Sequence, residues 1–175
     1  LDFLGESYFA SGEKKALADA DAYILPGVGA FGAAMENLAK LDIIDTLTGQ
    51  VIKSGKPFFG ICLGMQLLGK DSVELGFHKG LGWIDARVLA LKPIGNLRVP
   101  HVGWNNIKIY KKDPLYTNLD EISHFYFDHS FYVECDNSLV SATFEYGVTF
   151  AASLQKDNIF ATQFHPEKSQ RSGLK

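Results

Sequence analysis

From about Ala33 to Lys53 the apolar positions fall three or four apart: Met35, Leu38, Leu41, Ile44, Leu47 and Val51. That spacing predicts an amphipathic helix, ended by Gly55. On either side lie short apolar runs, "DAYIL" and "KPFFGI", of strand length. A strand, a helix and a second strand make a β-α-β unit, which implies parallel pairing. Upstream, "ESYFA" predicts a weak strand, and "SGEKKALADA" a short helix with Ser11 near its start. The second half has a different rhythm. "GWIDARVLAL", "NNIKIYK", "HFYFDHSFYVE", "SLVSATFEY", "TFAASLQ" and "IFATQFH" are rich in β-branched and aromatic residues, and turn signals separate them. The pattern predicts an α/β fold: an open, mostly parallel sheet flanked by helices, with antiparallel strands added in the C-terminal half. The final "SQRSGLK" reads as the first turn of a helix.

Composition narrows this little. With 175 residues and 46% hydrophobic content, the chain can bury a substantial core. A formal charge of −3 without blocks of like charge makes nucleic acid and membrane poor partners. No apolar run approaches transmembrane length, and nothing at the start reads as a signal peptide. The two cysteines, Cys62 and Cys135, form no C-x-x-C and are too few for a disulfide framework. A reducing, cytoplasmic setting is expected.

Three stretches carry candidate chemistry. "GVGAFG", Gly27 to Gly32, matches G-x-G-x-x-G between a strand and a helix. A dinucleotide site would need an acidic residue at the end of the following strand, but that strand ends at Cys62. The loop is either a tight turn that needs glycine, or a set of peptide N–H groups facing a reacting carbonyl. "GICLG", Gly60 to Gly64, has the form of a nucleophile elbow with cysteine in place of serine. Glycine two residues either side avoids collisions at a sharp strand-to-helix turn. The helix start behind it favours thiolate, and the Leu63 N–H can meet an oxyanion. A buried structural cysteine is the plain alternative. In "FATQFHPEKS", His165 follows an apolar strand and Pro166 disfavours helix at His165. Extended chain then puts Glu167 on the same side as His165, where it can steady the ring. A nucleophile needs such a base and orienter; alone, His-Pro-Glu would be an exposed turn. His124 and His129 match no zinc template, and no metal site is expected.

These stretches resemble the class I glutamine amidotransferases. "PGVGAFG", "PFFGICLGMQLLG" and "FATQFHPEKSQ" look like that family's oxyanion strand, nucleophile elbow and His/Glu segment. "VPHVGWN", "YFDHSFYVE" and "HPEKSQ" are most similar to the branch that supplies ammonia in histidine biosynthesis. The resemblance covers nearly the whole chain. It implies that Cys62 attacks the glutamine carboxamide, His165 is the acid and base, and Glu167 orients His165. The oxyanion would be met by Leu63 and a peptide of Gly27, Val28 and Gly29. Gln66, with backbone near Ser130 and Phe131, would hold the substrate; the plain reading of Gln66 is a polar residue at a helix start. The implied partner is a (β/α)8-barrel cyclase subunit, with Trp104, Asn105 and Lys168 as the contact surface. Trp104 could equally be core. No cofactor is implied.

Two departures stand out. The resemblance implies that residues 1–175 are one domain lacking the family's first strand and helix and the end of its last helix. At position 128 the family pattern leads one to expect an apolar residue, and Asp128 stands there. A glutaminase serving an anthranilate, guanylate or pyridoxal phosphate synthase, and a catalytically silent docking module, are the alternatives.

Overall fold

The computed structural model describes residues 1–93, 95–120 and 122–174. Strand β1 (Tyr23–Gly27), helices α2 (Phe31–Lys40) and α3 (Ile44–Thr48), and strand β2 (Phe58–Cys62) form the expected β-α-β unit. Helix α1 (Lys14–Asp19) precedes it, and the five-residue helix α4 (Leu63–Leu67) follows β2 without a gap. The two-residue strands β3 (Asp71–Ser72) and β4 (His78–Lys79) come next, then β5 (Ala86–Ala90), β6 (His101–Ile109), β7 (Ile122–His129) and β8 (Phe131–Cys135). The chain ends with β9 (Val140–Tyr146), β10 (Val148–Lys156), β11 (Ile159–Thr162) and a last turn of helix, α5 (Gln170–Gly173).

Seven strands form one sheet in the order β1-β2-β11-β10-β9-β6-β7. β1, β2 and β11 are mutually parallel, with Gly27 opposite Cys62 and Ile61 opposite Thr162. The remaining strands join antiparallel. A second sheet has the order β4-β3-β5-β8. Helix residues Phe31, Leu38, Leu47 and Val51 bury against Phe58, Met65, Trp83 and Val88 in one core. A second core gathers Ile107, Phe125, Phe127, Phe144 and Phe164.

The elements depart from the sequence pattern in three places. Residues 6–10, "ESYFA", are exposed coil, because no neighbouring strand pairs with them. The long helix is broken: Asp42 takes a left-handed conformation (φ 55°) that ends α2, leaving Leu41 exposed. Asp42 instead pairs with Lys14. "HFYFDHSFYVE" is two strands in two different sheets. β7 ends at His129, Ser130 bridges, and β8 leaves for the second sheet.

This topology positions the site. Gly27, Cys62 and the segment after Thr162 lie side by side at the carboxyl ends of three adjacent parallel strands. Ligand crevices in open α/β sheets form at such ends.

Candidate active site

Cys62 occupies a backbone conformation (φ 54°, ψ −105°) that non-glycine residues rarely adopt, and its side chain is buried. Strain of this kind costs roughly 1–3 kcal/mol and persists only where the surroundings enforce it. The two flanking glycines enforce it differently. A Cβ on Gly60 would lie 2.7 Å from the Gly64 carbonyl oxygen, the collision the elbow pattern anticipates. A Cβ on Gly64 would lie 1.9 Å from the Leu25 carbonyl oxygen, so Gly64 also lets α4 press against β1. In the "GVGAFG" loop, Gly29 alone needs its backbone angle (φ 102°). Gly27 and Gly32 are there for close approach: their Cβ atoms would meet Leu63 at 3.0 Å and the His78 ring at 2.6 Å.

Cys62 opens onto a cavity of about 260 Å3, which Val28, Gly29, Leu63, Gln66, Ser130, Phe131 and His165 also line. Gly27 stays behind it, against Leu63. His165 reaches the cavity from beyond β11, and its main-chain N–H donates to the Tyr126 carbonyl at 2.9 Å. Ser169, which sequence reasoning missed, clamps this junction. Its hydroxyl donates to the His165 carbonyl and accepts from the Tyr126 N–H. Glu167 reaches His165 through a 3-10 turn (Pro166–Lys168) rather than along extended chain. The carboxylate only accepts, so His165 donates from Nδ1 to Glu167 Oε1 at 2.7 Å. Neutral His165 therefore carries its lone pair on Nε2.

Three further residues line the cavity: Glu74 gave no sequence signal, Asp128 stood out only as a departure from the family pattern, and His129 only as a rejected metal ligand. Glu74 Oε2 accepts from the Phe31 N–H at 2.5 Å, tying a loop after β3 to the end of the glycine loop. Asp128 lies at the rim, and its carbonyl accepts from the Cys62 thiol at 3.9 Å. His129 heads a chain of buried hydrogen bonds whose directions are fixed. The Phe131 carbonyl can only accept, so His129 donates from Nδ1 at 2.8 Å. Neutral His129 must then accept at Nε2 from His101 Nδ1, 3.0 Å away. His101 in turn accepts at Nε2 from the Asn105 amide at 3.4 Å. That amide also donates to the Glu145 carbonyl at 2.9 Å. Burial pushes both His101 and His129 down to about 4, consistent with neutral rings.

Asn105 therefore faces the interior side of β6. Trp104, its neighbour, faces outward and is half exposed, with its ring 6.2 Å from Tyr126. Lys168 Nζ lies 5.7 Å from the centre of the same tyrosine ring. The three suggested surface residues thus divide: Trp104 and Lys168 share one outer patch around Tyr126, and strand alternation turns Asn105 away.

Burial is the largest influence on Cys62 and pushes its thiol up to about 11. The Leu63 N–H opposes this, whereas Asp128 and Glu167 add to it. The helix start behind Cys62 does not produce a resting thiolate. At neutral pH the sulfur holds its proton until a base removes it.

A buried thiol on a strained turn, in one cavity with an imidazole oriented by a carboxylate, is the arrangement that cysteine-dependent acyl transfer requires. The model of the family "Glutamine amidotransferase class-I" matches residues 8–174. A solved glutamine amidotransferase superposes with a TM-score of 0.76 at 21% identity, covering 99% of this chain and 85% of that one. Among curated relatives, imidazole glycerol phosphate synthase subunit HisH 1 of Campylobacter jejuni is 51% identical over 172 residues. That match covers 98% of this chain and 86% of that protein. Subunit HisH 2 of Vibrio vulnificus is 50% identical, covering 99% of this chain and 82% of the relative. The chain belongs to the class-I glutamine amidotransferases and, within them, to the HisH subunits of imidazole glycerol phosphate synthase.

Proposed function

We propose that the chain is the glutaminase subunit of an imidazole glycerol phosphate synthase. It hydrolyses glutamine to glutamate and ammonia through Cys62, His165 and Glu167. The observation that carries the reading is the shared cavity. A sulfur held on a strained elbow opens into the same space as an imidazole whose Nδ1–H is committed to Glu167, leaving Nε2 free as base.

Because the thiol is protonated at neutral pH, His165 takes its proton as the sulfur attacks the carboxamide carbon. The C–S bond forms and the carbonyl becomes an oxyanion, which the Leu63 N–H and a peptide of the Val28–Gly29 loop meet. His165 passes the proton to the amide nitrogen, and the C–N bond breaks to release ammonia. His165 then deprotonates water, which attacks the thioester; glutamate leaves and the thiol is restored. Glu167 holds the ring and stabilises its charged form.

The polar lining suits an amino acid. Both N–H bonds of Gln66 are used, one to the Phe131 carbonyl and one to Gln163 Oε1, each at 3.2 Å. Its free carbonyl oxygen is left to accept from substrate. The Glu74 carboxylate suits the α-ammonium, and backbone at Ser130 and Phe131, where the chain switches sheets, suits the α-carboxylate end. The outer patch of Trp104, Tyr126 and Lys168, close to His165, suits a (β/α)8-barrel cyclase that receives the ammonia. Tryptophan and tyrosine are typical of interface anchors.

The test is glutamate release with and without the cyclase, in the native chain and in Cys62→Ala. The native chain should turn over glutamine when the cyclase is present, and Cys62→Ala should not. Free ammonium at high concentration should drive the cyclase reaction in both. Glutamate release by Cys62→Ala would overturn the reading.

A further inference from the structure

Gln163 is fully buried immediately after β11, beside the elbow, and nothing in the catalytic scheme above uses it. Its carboxamide Nε2 lies 3.6 Å from Cys62 Sγ. Which end of an amide faces a neighbour is a matter of assignment, and here the surroundings decide it. The Phe131 carbonyl only accepts, so the Gln66 atom bonded to it is the nitrogen. The second hydrogen on that nitrogen goes to Gln163, whose facing atom must be the oxygen. The Gln163 nitrogen is thereby turned to the sulfur. The thiol has an acceptor of its own, the Asp128 carbonyl 3.9 Å away, which leaves a sulfur lone pair to accept from Gln163.

We propose that Gln163 is a further catalytic residue: its amide N–H is a built-in donor to the Cys62 sulfur and supports the negative charge that develops there as His165 takes the proton. Burial leaves the sulfur little solvent to stabilise its anion, so a neutral, fixed donor is worth more than it would be at the surface. No proton moves between Gln163 and the sulfur. The amide donates a hydrogen bond, the S–H bond breaks toward His165, and the same N–H can follow the sulfur when it departs from the thioester. The hydrogen bonds through Gln66, Phe131, His129 and His101 hold the amide in this sense.

The inference rests on Cys62 being the nucleophile, so the test separates the two. Iodoacetamide alkylation of Cys62 and Cys135 is followed by peptide mass spectrometry between pH 6 and 9, with Cys135 as the internal control. Glutaminase kcat and KM are measured with the cyclase present. In Gln163→Met, which has similar length but no donor, alkylation of Cys62 relative to Cys135 should slow about ten- to a hundredfold. That range is what losing a hydrogen bond to a charged group implies. The loss should appear in kcat, with KM within threefold. Gln163→Glu keeps the acceptor for Gln66 and serves if the Met variant does not fold. Its Cys62 deficit should widen as pH rises and the carboxyl ionises. Cys62 reactivity and kcat within twofold of native in the folded variants would overturn the inference and leave the site reading intact. Glutamate release by Cys62→Ala would overturn the site reading itself.

Discussion

Acidification from pH 7 to pH 5 should destabilise this protein through one buried pair, His101 and His129. The rings are 4% and 6% exposed and share a 3.0 Å hydrogen bond that a proton on the acceptor, His129 Nε2, would break, while a proton on His101 Nε2 would displace the bond it accepts from Asn105. His101 also stacks on Tyr146 and Phe127, with ring centres 4.1 and 4.9 Å apart, so a proton gained there has no water to meet. Burial holds both rings down at about 4, against an ordinary histidine value near 6.5. Between those values the unfolded chain binds protons that the native pair refuses. Stability is therefore full above pH 6.5 and falls as pH drops toward 4. Integrating one such shift from pH 7 to 5 gives about 2 kcal/mol per histidine, so about 2–4 kcal/mol for the coupled pair. Urea unfolding at pH 7, 6 and 5 measures it. His101→Asn places an amide donor near the former Nδ1 but removes one titration. It should be less stable at pH 7, yet lose only about half as much stability on acidification. Contributions from other histidines are common to both proteins and cancel. Native stability that stays level from pH 7 to 5, or an equally steep loss in His101→Asn, would refute the reasoning.

Three shorter expectations follow from the same geometry. Gly64→Ala puts a methyl group 1.9 Å from the Leu25 carbonyl, so a loss of about 3 kcal/mol or more in urea unfolding is expected, with glutaminase activity abolished. Gly29→Ala instead meets open space, so its cost is the strain of a positive φ, about 1–2 kcal/mol by the same assay. Asp128→Val removes a charge that raises the Cys62 thiol, so Cys62 alkylation at pH 8 should be faster than native while that of Cys135 is unchanged.

What could be read from the sequence was local. The elbow was legible because its requirement is steric and lies within five residues: glycine on both sides of a strained cysteine. The pairing of His165 with Glu167 was legible for the same reason, although a 3-10 turn rather than extended chain delivers it. The glycine loop was legible as a feature but not in its causes, since Gly27 and Gly32 answer to Leu63 and His78, distant in the chain. Long-range register was not legible. His101 faces His129 only because β6 pairs with β7 in that register, and Gln163 faces Cys62 only because β11 runs beside β2. The split of "HFYFDHSFYVE" at Ser130 was hidden likewise: both halves are good strands, and the change of sheet is decided by what each finds to pair with. Residues 6–10 show the converse, a strand-like composition without a partner.

The central claim is that Cys62 is the nucleophile toward glutamine. The most direct measurement uses a glutamine analogue with an electrophilic carbon in place of the carboxamide, with peptide mass spectrometry as the readout. With the cyclase present, the account predicts one adduct, on the peptide containing Cys62, slowed by excess glutamine, with Cys135 unmodified. An adduct on Cys135 in preference, or labelling of Cys62 that glutamine does not slow, would contradict it.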